Sequence, residues 1–340
     1  TNTQTEGWWR QAFDAHKIPY DYIDPQAIRN TSDLRAKYDV IIFGPGGGQG
    51  SVEGTPMWLN AIPYRNSPET PNVGTWAQTD DTRIGMGLEG LIHLRDFIKA
   101  GGVFLGSNSS AEFAITNSFA YGVSPNRAAS SSRVVGSLLR TKVVDETSPV
   151  VYGVPDNLAM YSDSGDSFSV SANIGGAGRG AGAAAAGAGG GGRGGGPGGG
   201  RPTGRGTPDD PDVVQGRPAS EGSNLPSLPP PQTVQPWQYT LPTEEQLKRN
   251  PATLIPPPFR PRVAVRFEAQ NSLLVSGLLD GGADIAQRPV VVDVPVGKGH
   301  VVLFANNPIY RGETIGSYFM VFNTILNFDN LDAGRKLDPK

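Results

Sequence analysis

The sequence predicts an α/β fold: a doubly wound, largely parallel sheet with a β-rich extension, interrupted by a long Gly/Pro-rich insert. Three observations carry this. Residues 38–43 and 103–106 are short apolar runs that end in turn formers, as strands buried on both faces do. A helical repeat lies between them. Beyond Arg133 the pattern changes to short β-type runs, broken by a stretch with Gly at 18 of the 32 residues 175–206.

Trp9, Ala12, Phe13 and His16 recur at i, i+3, i+4 and i+7, one face of a helix that must stop before Ile18-Pro19. A strand over 20–23 should follow. Ser32-Asp33-Leu34 opens a helical turn, and strand 38–43 runs into Gly44-Pro45-Gly46-Gly47-Gly48. Residues 51–84, rich in Pro, Asn, Thr and Asp without period, read as a long excursion at the strand ends, where loops carry function. Leu88, Leu91, Ile92, Leu94 and Ile98 form the next helix, closed by Gly101-Gly102.

Runs at 134–144, 149–154 and 168–172 read as strands, as does the alternating Arg262-Val263-Ala264-Val265-Arg266-Phe267. Residues 290–296 and 300–304 flank Gly297-Lys298-Gly299, a hairpin signature, and 318–326 is a final apolar helix. Residues 1–173 and 237–330 therefore read as one domain, 174–236 as an insert within it, and 331–340 as a tail.

Net charge is -3 and the pI about 5.7, so nothing in the charge favours nucleic acid. The insert's Arg-Gly pattern lacks the aromatic stacking partners that single-strand binders use: no aromatic residue lies between Phe168 and Trp237. The insert reads as a flexible spacer, and packing between copies would make it a route to a homo-oligomer. No apolar run approaches the roughly 20 residues a membrane helix needs, so no membrane partner is expected. With no cysteine the chain has no disulfide, thiolate site or Cys nucleophile. Residues 44–50 follow a strand but contain neither G-x-G-x-x-G nor Gly-Lys-Ser/Thr, and read as a tight turn.

Several ordered motifs resemble the C-terminal region of large bacterial carboxypeptidase A-type zinc peptidases. They are Glu6-Gly7-Trp8-Trp9-Arg10, Tyr38-Asp39-Val40-Ile41-Ile42, residues 90–102, Gly297-Lys298-Gly299-His300-Val301-Val302-Leu303-Phe304, and Asn306-Asn307-Pro308 through Asn323. The resemblance covers nearly everything outside the insert. It implies a fold of the flavodoxin-like, class I glutamine amidotransferase-like type in a secreted or periplasmic protein. That family's triad needs a Cys at a strand-to-helix elbow and a His near the C-terminus. Here the elbow reads Gly106-Ser107-Asn108-Ser109-Ser110, and Asn307 stands where the base would be, so amidotransferase activity is expected to be absent.

The degenerate cleft is expected to hold Ser107, Asn108, Ser109 and Asn307, with Gly46 and Gly47 as an oxyanion-type turn and Arg311 as the anion contact. The competing enzyme reading makes Ser107 or Ser109 a nucleophile with His300 as base, although His300, just before a buried strand, reads as structural. A zinc peptidase needs His-x-x-Glu and a later His. His16 is followed at the third position by Pro19, His93 by Asp96 and His300 by Leu303, so no metal site or cofactor is expected in this chain, and zinc belongs to an upstream domain.

Thr1 reads as a cut end of a longer precursor. A sheet of this kind has a central first strand before the helix that starts near Gly7, and the polar residues 1–6 are too short to supply it. The upstream fragment of the same precursor is therefore expected as the partner that fills the gap.

Overall fold

In the computed structural model the described residues are 3–55, 59–75, 78–129, 132–174, 234–239 and 241–336. The elements follow in order: α1 (Thr3–Ala15), α2 (Pro25–Asn30), β1 (Val40–Phe43), α3 (Gly50–Glu53), α4 (Gly87–Lys99), β2 (Val103–Ser107), α5 (Ser109–Thr116), β3 (Val123–Arg127) and β4 (Arg133–Val143). Then come β5 (Ala159–Ser162), β6 (Asp166–Val170), α6 (Glu244–Arg249), β7 (Arg262–Phe267), α7 (Gln270–Leu273), β8 (Leu274–Asp280), β9 (Pro289–Val296), β10 (Gly299–Phe304) and α8 (Ile315–Leu326).

The main sheet runs β1-β2-β10-β9-β7-β4-β5, with β8 also paired to β4, and β3 with β6 forms a separate ribbon. β1, β2 and β10 are parallel, and from β9 onward each pairing is antiparallel. The fold is thus mixed α/β, with a parallel part crossed by helices and an antiparallel extension. Every residue of β2, β9 and β10 is buried, which is why these segments tolerate uninterrupted apolar runs.

Helix α4 buries Gly90, Leu94, Phe97 and Ile98 and is stopped by Gly101 at φ 109, the left-handed conformation that glycine adopts without penalty. The β9–β10 turn packs close behind it: a Cβ at Gly299 would lie 2.2 Å from the Gly102 carbonyl oxygen, so only glycine fits.

Three sequence expectations are corrected. Residues 20–23 form no strand. Residues 149–151 form a 3-10 turn, because Pro149 has no N–H to give a ladder but suits the first position of a helical turn. The segment 331–336, expected as a tail, is packed onto the domain: Leu331 is buried, and the Arg262 guanidinium, itself buried, donates to the Leu331 and Ala333 carbonyls at 3.3 and 2.8 Å.

Most of the insert lies outside the described residues. Its flanks join one body, through the Asn173–Leu254 bridge on one side and the Trp237 N–H to Gln287 carbonyl bond on the other.

Candidate functional site

The carboxyl ends of β2 and β10 meet the loop after β1. Strand β2 ends at Ser107, and the chain turns into α5 through Asn108, whose φ of 52° and ψ of -121° are strained for a residue with a Cβ. The turn is tight: a Cβ at Gly106 would lie 2.8 Å from the Ser110 carbonyl oxygen, so the strand can approach the helix this closely only at glycine. This is the geometry of a nucleophile elbow, and its apex is Asn108, with neither Ser107 nor Ser109 at that position.

The neighbouring groups are drawn into the scaffold. Ser110 Oγ lies 2.6 Å from the Gly44 carbonyl oxygen and 2.9 Å from that of Gly47, which ties the glycine loop to the elbow. The Gly46 N–H, at φ 101, donates to Ser109 Oγ at 3.1 Å, and the Gly47 N–H donates to the Gly44 carbonyl. The two glycines expected to present free donors are therefore already engaged. Asn307 is buried, and its Oδ1 accepts from Trp9 Nε1 at 3.0 Å and from the Ile309 N–H at 3.2 Å, which makes it a brace between α1 and the loop after β10. Asn306 Nδ2 donates to Ser162 Oγ at 2.7 Å.

Three buried polar atoms at this edge, Ser107 Oγ, Asn108 Oδ1 and Asn306 Oδ1, have no hydrogen-bond partner among the described residues. Beside them lies a cavity of about 220 Å³ lined by Asn108, Ser109, Glu112, Arg127, Asp166 and Ala305 among others. Arg127 pairs with Glu112 at 2.5 Å within this lining. Asn108 Nδ2 reaches Asp163 at 3.5 Å, and the Asp163 carboxyl is raised, by desolvation first and by the charge of Asp166.

His300 cannot act here. It opposes Val103 at the start of β10, whereas Phe304 opposes Ser107 at the end. Four residues of strand place the imidazole about 13 Å from the elbow. It is buried, with Nδ1 2.7 Å from Asp293 Oδ1. His16 and His93 are held by the Ala12 and Ile28 carbonyls, and among the described residues no three His, Cys, Asp or Glu side chains are grouped as a metal site would require.

No protein-family model matches the chain, and no curated protein matches it. Solved structures similar to it include a cytoplasmic protein from Salmonella typhimurium, 9% identical with a TM-score of 0.42, covering 94% of this chain and 85% of that one. A putative ThuA-like protein from Bacteroides uniformis is 8% identical with a TM-score of 0.39, covering 98% and 86%.

Arg311 lies on the same carboxyl edge. Arg311 (φ 49) and Gly312 (φ 75) are the centre of a tight turn closed by the Glu313 N–H to Tyr310 carbonyl bond at 2.8 Å. The turn lays the guanidinium over the rings of Trp8 and Tyr310, 5.6 and 5.9 Å from their centroids. Tyr310 meets Trp8 edge-on at 4.7 Å and stacks on Tyr161 at 3.5 Å. Tyr161, Asp163 and Asp166 were not singled out from the sequence, and Trp8 was named only within the motif at 6–10 and not as a site residue. The turn-rich Ser162-Asp163-Ser164-Gly165-Asp166 and the Arg-Gly at 311–312 were the available signals.

Proposed function

We propose that this chain is a non-catalytic binding module with a degenerate amidotransferase-type cleft, serving as an accessory part of a secreted or periplasmic zinc carboxypeptidase-like protein whose zinc domain lies upstream. The observation that carries the non-catalytic part is the identity of the elbow residue. An Asn amide is neither a nucleophile nor a base near neutral pH, yet it occupies the strained apex. The donors that would stabilise an oxyanion from Gly46 and Gly47 are already bonded within the protein.

The carboxypeptidase setting rests on the sequence motifs alone. On this reading the cleft recognises a ligand, and Arg311, exposed and oriented on two aromatic rings, is the group that meets its anionic end. A fluorophosphonate probe tests it: neither Ser107 nor Ser109 is expected to be modified on mass spectrometry of the intact protein. Stoichiometric labelling of either serine overturns the proposal and makes the chain a serine hydrolase.

A further inference from the structure

The parallel part of the sheet ends abruptly at β1. Among the described residues β1 pairs with β2 alone. The Val103 N–H donates to the Asp39 carbonyl at 2.9 Å, and in a parallel ladder bonding alternates. Asp39, Ile41 and Phe43 therefore face β2, and the backbone groups of Val40 and Ile42 face the free side. The side chains report the same asymmetry: Val40, Ile42 and Phe43 are only half-buried, whereas β2 is buried throughout. Residues 20–23, for their part, pair with no strand among the described residues. They are held by side chains instead, with Tyr22 donating to Glu6 at 2.7 Å, Tyr20 donating to Asp14 at 3.2 Å and Arg10 lying over the Tyr22 ring. Tyr20, Ile23, Val40 and Ile42 all touch the core while remaining partly exposed, so apolar surface is left uncovered here.

The direction of α1 identifies what belongs there. Its first turns lie at the carboxyl edge, where Trp8 meets Tyr310 and Trp9 bonds Asn307. Further along, Phe13 and His16 lie against Phe322, late in α8. Phe328, just past α8, sits under Arg35, which bonds Asp39 at the amino end of β1. Helix α1 thus runs from the carboxyl edge to the amino edge, antiparallel to β1, as a crossover helix does. A strand parallel to β1 would end at the carboxyl edge, beside the start of α1, and a short loop would join them.

We infer that the gap beside β1 is a built docking site for one extended apolar strand, parallel to β1, supplied by polypeptide directly N-terminal to α1. It would pair with Val40 and Ile42 on one side and recruit residues 20–23 as a strand on the other. Flanked on both sides, its side chains would form a continuous apolar run. This inference is independent of what the elbow binds.

Hydrogen exchange at single amides tests it, comparing the 340-residue chain with the full gene product that contains it. The amides of Val40 and Ile42 are expected to exchange at least about 100-fold more slowly in the full product, with Ile41 and Phe43 protected in both. Equally fast exchange of Val40 and Ile42 in the two proteins overturns the inference, as does a gene product that begins at Thr1. Protection already present in the 340-residue chain also overturns it. If that protection is independent of concentration the chain fills its own gap, and if it rises with concentration a second copy does.

Discussion

At the amino ends of the parallel strands, His300, Asp293, Arg335 and Asp332 form a connected charge network. Asp293 is fully buried and accepts from His300 Nδ1 at 2.7 Å through one oxygen and from Arg335 at 2.8 Å through the other, and Arg335 also meets Asp332 at 3.0 Å. At the carboxyl ends, one sheet width away, Ser107, Asn108 and Asn306 each leave a buried atom without a partner, and Asn108 holds a strained backbone. The buried charges at one end are therefore paired, whereas buried polar atoms of the turns at the other end have no partner among the described residues. Strain and orphaned polar groups persist where surrounding structure enforces them, and in open α/β sheets ligands bind at the carboxyl edge. The amino edge is the part that holds the fold, and the carboxyl edge is the part available for recognition.

The sharpest way to break this contrast is Asp293→Ala. Removing the carboxylate leaves a buried imidazole and guanidinium facing each other, and unfolding in denaturant should show a loss of about 3–5 kcal/mol. A smaller effect follows from pH. Burial alone would lower the His300 pKa, but the charge and hydrogen bond of Asp293, with Asp332 behind it, raise it to about 9. A group raised in the folded state contributes stability that is complete below its unfolded value and lost as pH rises through the folded one. The contribution of His300, about 3 kcal/mol, should therefore be intact below about pH 6.5 and gone above about pH 9. Urea midpoints at pH 6 and pH 10 should differ in the natural protein and much less in His300→Gln.

The smallest effect lies at the other edge. Asn108→Gly relieves a positive φ at the expense of unfolded-chain entropy, so it should leave stability unchanged or raise it by up to about 1 kcal/mol. A loss of more than that in thermal unfolding would mean that the elbow side chain holds the fold, and the contrast between the edges would fail.

Much of the frame was legible in the sequence where the signal is local. β1, β2 and α4 with its Gly101 stop, and the β9–β10 hairpin, show themselves through apolar runs, a 3.6-residue repeat and glycines at turns. Residues 20–23 misled because a strand exists only with a neighbour, and among the described residues they have none. Residues 149–154 misled because an apolar run does not distinguish a strand from a buried 3-10 turn. At the site, the elbow segment was found but its apex was not, since one residue along a strand-to-helix turn is decided by backbone angles that composition does not report. The aromatic support of Arg311 was hidden for another reason: Trp8 reaches it, and Tyr161 backs the neighbouring Tyr310, only through the tertiary fold.

The clamp on residues 331–336 has a consequence for how the chain is made. Asp293 and His300 emerge from the ribosome before Arg335, so for that interval the buried carboxylate has one cation instead of two, and Arg262 lacks the carbonyls it later holds. The contacts that secure the amino edge are thus made by residues synthesised after every strand they tie.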